Sequence, residues 1–335
     1  EAGLHLLSPD GKTRIKTDPF AFLPLLDHTP CRLPRLEPVQ YTDPHKGLWE
    51  LWGNDAARLK ELGLVARDPA RDVCSRNVAI DFGTSSTVVA LNDAHGGRRL
   101  LRIGVRDFYQ PPRGTDFENP TVLEIIDHAR LSAVWTAQTY RPALDWNWVH
   151  AAHEAQASFR DNPGDTAVLA SILPRLKQWA LRSAKETLRL TDRQGLEIEL
   201  PAMTERNPVR GQPMTVSPQD PFDPIELYAW FLGMAINWRG HGLYLKYHLT
   251  FPVKYPRETK DKILASFRRG LQRSLPLTLV TQPDALQGFT VEEIASEPAA
   301  YAAAALPQLD LEPTDEGVPY AVFAFGGGTT DFAYR

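Results

Sequence analysis

Two apolar segments of this chain each run into a tight glycine turn, and these turns constrain the fold more than any other feature. The first lies within residues 80–87 and the second within residues 323–331, at opposite ends of a long patterned region. Consecutive glycines such as those at 326–328 cost chain entropy, so they usually mark a place where the backbone approaches something closely. The sequence therefore predicts strands that end in turns built for close approach.

The first turn has the residue types that bind a phosphate group. Gly83 lets the backbone approach closely, while successive N–H groups supply donors to anionic oxygens together with the hydroxyls of Thr84, Ser85 and Ser86. Asp81 is placed to hold Mg²⁺ through water, because magnesium keeps most of its hydration shell and takes few carboxylates. An ordinary β-hairpin with a capping Asp is the alternative, and this turn alone leaves both interpretations open.

The second turn contains three glycines, a hydroxyl residue and an acid, namely Gly326, Gly327, Gly328, Thr329 and Asp331. An apolar strand leads into it and an alternating segment at 331–334 leads out, which weakens the alternative of a flexible hairpin turn or linker. Neither turn is a Walker-type loop, because no Gly-Lys-Ser or Gly-Lys-Thr follows either of them.

The region between the two turns alternates between strand-like and helix-like patterns, which indicates an α/β core. Strands are predicted at 78–82, 87–91, 99–105, 121–126, 244–251, 277–281 and 320–325, with a hairpin at 188–200. Helices are predicted at 149–159, at 165–188 with an interruption at Pro174, at 223–238, at 257–273 and at 291–306. Asp223 is the predicted N-cap of its helix, because Pro224 follows it and Glu226 lies three residues further on.

Residues 1–76 have a different character from the rest of the chain. Their eight prolines leave room for one helix, near 48–64. Aromatic residues such as Phe20 and Trp49 favour packing on a neighbouring surface over disorder. We therefore expect a Pro-rich N-terminal extension packed on the core. The chain begins at Glu1 without a methionine, so we also expect it to be a piece of a longer protein.

Composition excludes several classes of function. A net charge of −4 without a dense Lys/Arg tract argues against nucleic acid as a partner. Cys31 and Cys74 are too few for a disulfide framework or a zinc cluster, which fits a reducing cytoplasm. The sequence contains no apolar stretch long enough to span a membrane and no signal-peptide pattern at its start. These features predict a cytoplasmic protein without a membrane span.

Taken together, the two turns and the order of segments between them resemble the paired phosphate loops of the actin, sugar-kinase and heat-shock chaperone superfamily. Residues 81–87 are similar to the first phosphate loop of DnaK-type (heat-shock protein 70-like) chaperones, and 188–200 to their peripheral hairpin. Residues 248–255 look like the family's Val-Pro crossing, and 296–301 like its Asn-Glu-Pro-Thr-Ala-Ala segment.

This resemblance implies a ribonuclease H-like actin/heat-shock ATPase fold, with a mixed sheet flanked by helices. Residues 77–335 would form the first lobe, with its core at 77–126 and 223–335 and a peripheral α+β insertion at about 127–222. Relatives continue into a second lobe, whereas this chain stops four residues after Asp331. The second lobe is therefore expected to be missing, and a protein client or partner to bind through the missing regions.

The resemblance also implies roles for individual residues. Asp81 and Asp331 would hold Mg²⁺, and the two turns would cradle the phosphates of ATP or ADP. Lys177 lies where the family's catalytic lysine is expected, with a solvated helix lysine as the alternative. Glu297 would be an acid of the catalytic site that lies behind the residues contacting the nucleotide, and Pro298 would belong to the hinge that links nucleotide state to the rest of the molecule, with an ordinary helix start as their alternative.

One position departs from the family pattern. Most relatives have an aspartate two residues before the glycine triplet, where this chain has Ala324. Alanine can neither orient the attacking water nor accept its proton. We therefore expect an Mg-ATP-binding module of a larger chaperone-like protein, in which the ATPase reaction itself is in doubt.

Two other functions remain open. Ala324, the Pro-rich extension and the eight tryptophans also fit a non-hydrolysing scaffold or adaptor with an actin-like fold. A small-molecule kinase of the same superfamily is the third possibility.

Two further groups of residues are weaker candidates for a site. His150 and His153 lie three residues apart on a predicted helix and could hold a metal, with surface histidines as the alternative. The helix at 257–273 carries Lys260, Lys262, Arg268 and Arg269, a pattern typical of a solvated face.

Overall fold

The computed structural model describes residues 68–92, 96–104, 111–183, 185–239, 242–311, 319–325 and 330–334. The predicted helix at 48–64 and most of the predicted N-terminal extension lie outside these residues. The chain forms a mixed α/β structure in which helices flank a mixed sheet. No helix in the described ranges is long and apolar enough to cross a membrane.

The elements follow one another along the chain as strands and helices of varied length. The strands are β1 (Val73–Phe82), β2 (Ser86–Asn92), β3 (Arg98–Leu100), β4 (Asn119–Pro120), β5 (Val122–Ile125), β6 (Val149–Ala151), β7 (Ile172–Pro174), β8 (Leu188–Thr191), β9 (Glu197–Leu200), β10 (Leu243–Phe251), β11 (Thr290–Ser296), β12 (Ala321–Phe325) and β13 (Thr330–Tyr334). The helices are α1 (His128–Ala137), α2 (His153–Asp161), α3 (Thr166–Ser171), α4 (Leu176–Trp179), α5 (Pro224–Arg239), α6 (Arg257–Arg273), α7 (Leu277–Val280) and α8 (Glu297–Ala305). Single 3₁₀ turns lie at Pro69–Asp72, Gly114–Phe117 and Pro307–Leu309.

The central sheet has the strand order β11-β10-β1-β2-β3, with β4 paired to β2. Strands β1, β10 and β11 are parallel, whereas β1, β2 and β3 form an antiparallel meander as the sequence predicts. Smaller sheets are formed by β6-β5-β7, β8-β9 and β12-β13. The parallel strands need crossover connections, and helices in the intervening segments supply them.

The core lies between the central sheet and helices α5 and α6. Phe82 at the end of β1 packs edge-on against Phe267 of α6, with ring centroids 5.0 Å apart, and also contacts Tyr228 of α5. The two helices approach closely at Gly270, where a Cβ atom would collide with the carbonyl oxygen of Glu226. Burying these aromatic residues fixes α5 and α6 on one face of the sheet.

The predicted N-cap of α5 is confirmed. Oδ1 of Asp223 accepts hydrogen bonds from the backbone N–H groups of Ile225 at 2.9 Å and Glu226 at 3.1 Å. The Glu226 side chain instead bonds to Arg269 and Arg273 of α6. The cap sequence therefore serves both the helix start and an ionic contact between two helices.

The predicted bounds of α6 match the structure, but the solvated-face interpretation of its charges is wrong for part of the helix. Arg269 is 4% exposed and Arg273 1% exposed, and both guanidinium groups bond to acids of α5. Because a charge pattern along a helix does not show what packs against it, the sequence could not separate these two arginines from Lys260 and Lys262.

Several short elements differ from the sequence prediction. Residues 277–281 form a helical turn rather than a strand, and the segment at 291–306 begins as β11 before α8 starts at Glu297. β11 is a strand because it pairs in parallel with β10. A short apolar run cannot be assigned to helix or strand from its period alone, so tertiary pairing decides.

The same cause explains the errors in the predicted helices at 149–159 and 165–188. Val149–Ala151 and Ile172–Pro174 are strands, because each pairs with one edge of β5. Helix α4 ends at Trp179, well before the predicted end. β1 begins at Val73, so the central sheet starts inside the predicted 1–76 extension, and β3 ends at Leu100. The predicted hairpin at 188–200 is confirmed.

Candidate functional site

The carboxyl ends of the three parallel strands meet at one edge of the central sheet. Ile80 pairs with Leu249, which brings Asp81 of β1 beside Thr250 of β10. Phe251 pairs with Ser296, so Glu297 follows at the same edge. In open α/β sheets this edge is where ligands usually bind. The topology thus places two of the predicted site acids close together.

Asp81 lies at the rim of this edge. Thr250 Oγ1 donates a hydrogen bond to Asp81 Oδ1 at 3.4 Å. Although Asp81 keeps exposed surface, the surrounding protein removes enough water to raise the pKa of its carboxyl. The positive charge of Lys177 and the Thr250 hydrogen bond oppose this rise without cancelling it. A carboxylate in this environment gains from a nearby cation.

Lys177 is buried beside the same edge. Its side chain is 2% exposed, and Nζ lies 2.7 Å from Glu297 Oε1. Nζ also lies 5.3 Å from the centroid of the Tyr255 ring, within the range of a cation–π contact. The solvated-lysine alternative is therefore wrong. Leu176 and Trp179 are buried as well, so most of the short helix α4 lies in the protein interior. The sequence pattern alone did not show that this segment is buried.

The arrangement brings together three residues that are far apart in the sequence. Asp81 comes from β1, Lys177 from α4, and Glu297 from the first turn of α8. Glu297 and Pro298 do start a helix, so the helix-start interpretation and the ion pair with Lys177 are both present. The result is a rim carboxylate with a buried, paired ammonium group nearby. Such a pair of opposite charges can bind a cation and an anion side by side.

The first glycine turn joins β1 to β2 at this edge. The Gly83 carbonyl accepts a hydrogen bond from Thr121 Oγ1 at 3.0 Å, and the Ser85 carbonyl accepts one from the Thr121 N–H at 3.0 Å. A Cβ atom at Gly83 would collide with the Ser86 carbonyl oxygen. Ser85 is exposed, whereas Thr84 is buried. Glycine is therefore required for the turn itself, and Ser85 is more accessible than Thr84.

The second glycine turn is only partly described. Gly326, Gly327, Gly328 and Thr329 lie outside the described residues, as does the side chain of Asp331. The strands on either side, β12 and β13, pair with each other in antiparallel orientation. Helix α8 packs on both strands, so the helix that carries Glu297 also supports this hairpin. The contribution of the second turn to the site stays a prediction.

Sequence reasoning missed the residues that hold the site in place. Thr121, Thr250 and Tyr255 contact the first turn, Asp81 and Lys177 respectively. Thr250 and Tyr255 lie in the segment at 248–255, whose resemblance to the family's Val-Pro crossing is the one sequence signal that pointed to this region. Their contacts depend on strand register and on helix α4, and neither is visible in a local pattern.

The histidine pair does not form a metal site. His150 lies in β6 rather than on a helix, and its Nδ1 is 2.7 Å from Glu124 Oε2. His153 begins α2, and its Nε2 is 2.8 Å from the Asp116 carbonyl oxygen. His150 is buried, so the surface-histidine alternative is wrong for it. In the described ranges, no group of three or more His, Cys, Asp or Glu residues could hold a metal ion.

The fold and this edge define an α/β protein with a charged site at the carboxyl ends of its parallel strands. No family model and no curated protein matches the chain.

Proposed function

We propose that this chain is an Mg-ATP-binding module similar to heat-shock protein 70, with the first lobe of a ribonuclease H-like actin/heat-shock ATPase fold. The observation that supports the proposal most is the pair formed by buried Lys177 and half-buried Glu297, beside Asp81 at the carboxyl edge of the sheet. Taking the charge of Lys177 out of water is costly for stability alone. Its position next to a glycine turn and a rim carboxylate fits a site for a charged ligand.

The residues at the edge fit a magnesium nucleotide. Asp81 would hold Mg²⁺ through water, and the family resemblance implies the same role for Asp331, which fits because magnesium binds through one or two carboxylates and phosphate oxygens. Lys177 would bind phosphate oxygens, with Glu297 orienting its ammonium group. Ser85 and Ser86, with the backbone at Gly83, would donate to the phosphates. When bound, Mg²⁺ would neutralise phosphate charge.

Hydrolysis is not part of this proposal. Ala324 stands where relatives carry the aspartate that serves the attacking water, and a methyl group can take no proton. The cradle for the phosphates is largely backbone, so binding does not depend on Ala324. We propose a cytoplasmic nucleotide-binding switch that acts on an attached region or partner of a larger chaperone-like protein.

Replacing Lys177 tests the nucleotide site directly. Lys177→Ala removes the buried cation, so we expect the affinity for Mg-ATP to fall about 10-fold or more, as for a lost hydrogen bond to a charged group. Isothermal titration calorimetry of the full-length protein measures this. Lys246→Ala is the control, because Lys246 is exposed on β10 away from the carboxyl edge. Equal Mg-ATP affinity in the two variants would contradict the proposal.

A second candidate function, a non-hydrolysing scaffold, is favoured by one surface. Four aromatic side chains lie on the same face of the β12–β13 hairpin and are 48–81% exposed: Phe323, Phe325, Phe332 and Tyr334. Apolar patches of this kind usually mark protein interfaces.

The Ala324→Asp variant separates the two functions. A gain in ATP turnover supports the nucleotide module, whereas unchanged turnover, measured by phosphate release, supports the scaffold.

A further inference from the structure

A cavity of about 330 Å³ lies away from the sheet edge, under the irregular segment at 206–222. Its floor is formed by α1, α5 and α6, and none of its lining residues belongs to the Asp81 site. The volume is at the lower end of the range for small-molecule pockets, about 300–1,000 Å³. A long segment without helix or strand inside a packed domain is often a binding loop.

About half of the cavity wall is apolar and the rest is polar. Its larger apolar side chains come from α1 and from the covering segment, and are Trp135, Val209, Met214, Val216 and Phe222. The covering segment is tied down by the Met214 N–H, which donates to the Tyr140 hydroxyl at 2.8 Å. Gln272 also donates to the Gln212 carbonyl at 2.9 Å, and Arg268 donates to Asn207 Oδ1 at 2.8 Å. The cavity therefore offers an apolar patch, formed by these side chains, under a segment that is fixed at several points.

The floor of the cavity is charged but internally balanced. Arg269 lies 2.6 Å from both Asp223 and Glu226, and Arg273 lies 2.8 Å from Glu226. These two arginines and two acids are all buried, and their charges sum to zero. Because these contacts are short, we do not expect a ligand to displace them.

The rim of the cavity carries a looser pair of opposite charges. The Arg206 side chain is 26% exposed and lies 3.4 Å from Asp220, which is 38% exposed. Arg206 is also 3.4 Å from Glu226, whose oxygens are already engaged by shorter bonds to the two buried arginines. Contacts of this length are weak, so Arg206 and Asp220 can each exchange their contact for a ligand group.

We propose that this cavity binds a free α-amino acid with an apolar side chain. The ligand carboxylate would pair with Arg206, the ligand ammonium group with Asp220, and the side chain would pack on the apolar patch. A zwitterion matches the rim because both are neutral overall and present adjacent opposite charges. Arg206 suits a carboxylate because a guanidinium group can bind it with two parallel hydrogen bonds. This site is independent of the nucleotide proposal.

Calorimetric titration of the full chain with L-phenylalanine and two analogues tests the proposal. Phenethylamine lacks the carboxylate, and 3-phenylpropionate lacks the ammonium group. We expect L-phenylalanine to bind about 10-fold or more tightly than either analogue, because each analogue loses one charged contact. If L-phenylalanine does not bind at millimolar concentration, or binds no better than the analogues, the proposal is wrong.

Two rim variants assign the contacts. Arg206→Gln is expected to lower the affinity for L-phenylalanine and 3-phenylpropionate about 10-fold while leaving that for phenethylamine unchanged. Asp220→Asn is expected to lower the affinity for L-phenylalanine and phenethylamine about 10-fold while leaving that for 3-phenylpropionate unchanged. Arg210→Ala is the matched control, because Arg210 lies on the same segment, is exposed, and lines a different cavity. The assignment would be overturned if the rim variants bind all three ligands as the wild type does, or if the affinity falls by the same factor for every ligand.

A third variant keeps the test decisive if a rim variant does not fold. Ser132→Phe fills the cavity from α1 without removing any charge. We expect it to abolish L-phenylalanine binding. Retained binding in a folded Ser132→Phe protein would show that the amino acid binds elsewhere, and the proposal would fail.

Discussion

Glu226 takes part in both the start of α5 and its ionic contact with α6. Its backbone N–H bonds to the Asp223 cap, and its carboxylate bonds to Arg269 and Arg273. Burial would raise the pKa of this carboxyl, but the two arginines outweigh burial and hold the pKa below its usual range. Because the ionised form is favoured in the folded state, this carboxylate contributes to stability whenever it is charged.

Removing the charge of Glu226 is expected to destabilise the fold strongly. Glu226→Gln leaves Arg273 buried without its acid, which costs about 3 kcal/mol or more in free energy of unfolding. Urea denaturation measures this value. Glu258→Gln is the control, because Glu258 lies on the exposed surface of α6 and pairs only with Lys262 among the described residues. Equal stability of the two variants would contradict this account of the ion network.

The contribution of Glu226 should also depend on pH. Its pKa is lowered on folding, so the contribution is complete above the ordinary glutamate pKa of about 4.3 and is lost as the pH falls through the lower folded value. The Glu226→Gln defect should therefore shrink below about pH 4. A defect that stays constant across that range would show that the charge is not its cause.

At the scale of elements, the packing of α5 on α6 depends on the small size of Gly270. A Cβ atom at Gly270 would meet backbone of the facing helix, which cannot move aside as a flexible side chain can. The two helices would have to separate. This contact also holds the arginines of α6 next to the acids of α5.

Gly270→Ala is expected to lower the free energy of unfolding by about 1–3 kcal/mol, as overpacking usually does. Urea denaturation measures the change. Gly114→Ala is a matched control, because a Cβ atom there meets nothing within 4 Å and the backbone is not left-handed. The close-packing account fails if the two variants have the same stability.

Elements with a strong local signal could be predicted from the sequence. α6 and the start of α5 are two of these, because an amphipathic period and a capping Asp are local properties. β6, β7 and β11 could not be predicted as strands, because each is a short apolar run whose form depends on a partner strand. α7 was predicted as a strand for the same reason.

At the scale of the whole molecule, the site joins parts of the chain that the sequence alone leaves separate. Lys177 comes from the predicted insertion, and Glu297 from the helix that follows the last parallel strand. The resemblance to a known pattern indicated both residues, although local features favoured a solvated lysine and a plain helix start. The pairing of Arg206 with Asp220 could not be predicted, because an irregular segment has no periodic pattern from which the spatial neighbours of its residues can be inferred.

We propose that the carboxyl edge of the sheet binds a magnesium nucleotide. Replacing Asp81 tests this proposal most directly. Asp81→Asn keeps the shape of the side chain. Because burial raises the pKa of Asp81, loss of its charge is not expected to destabilise the fold, so a loss of binding would report on the site itself. Thermal unfolding checks this point.

The decisive measurement is the affinity of the full-length protein for ATP, with and without Mg²⁺, by isothermal titration calorimetry. We predict that the wild-type protein binds ATP more tightly when Mg²⁺ is present, and that Asp81→Asn removes this advantage while remaining folded. A wild-type protein without measurable affinity for Mg-ATP, or an Asp81→Asn variant with the same magnesium dependence as the wild type, would contradict the claim.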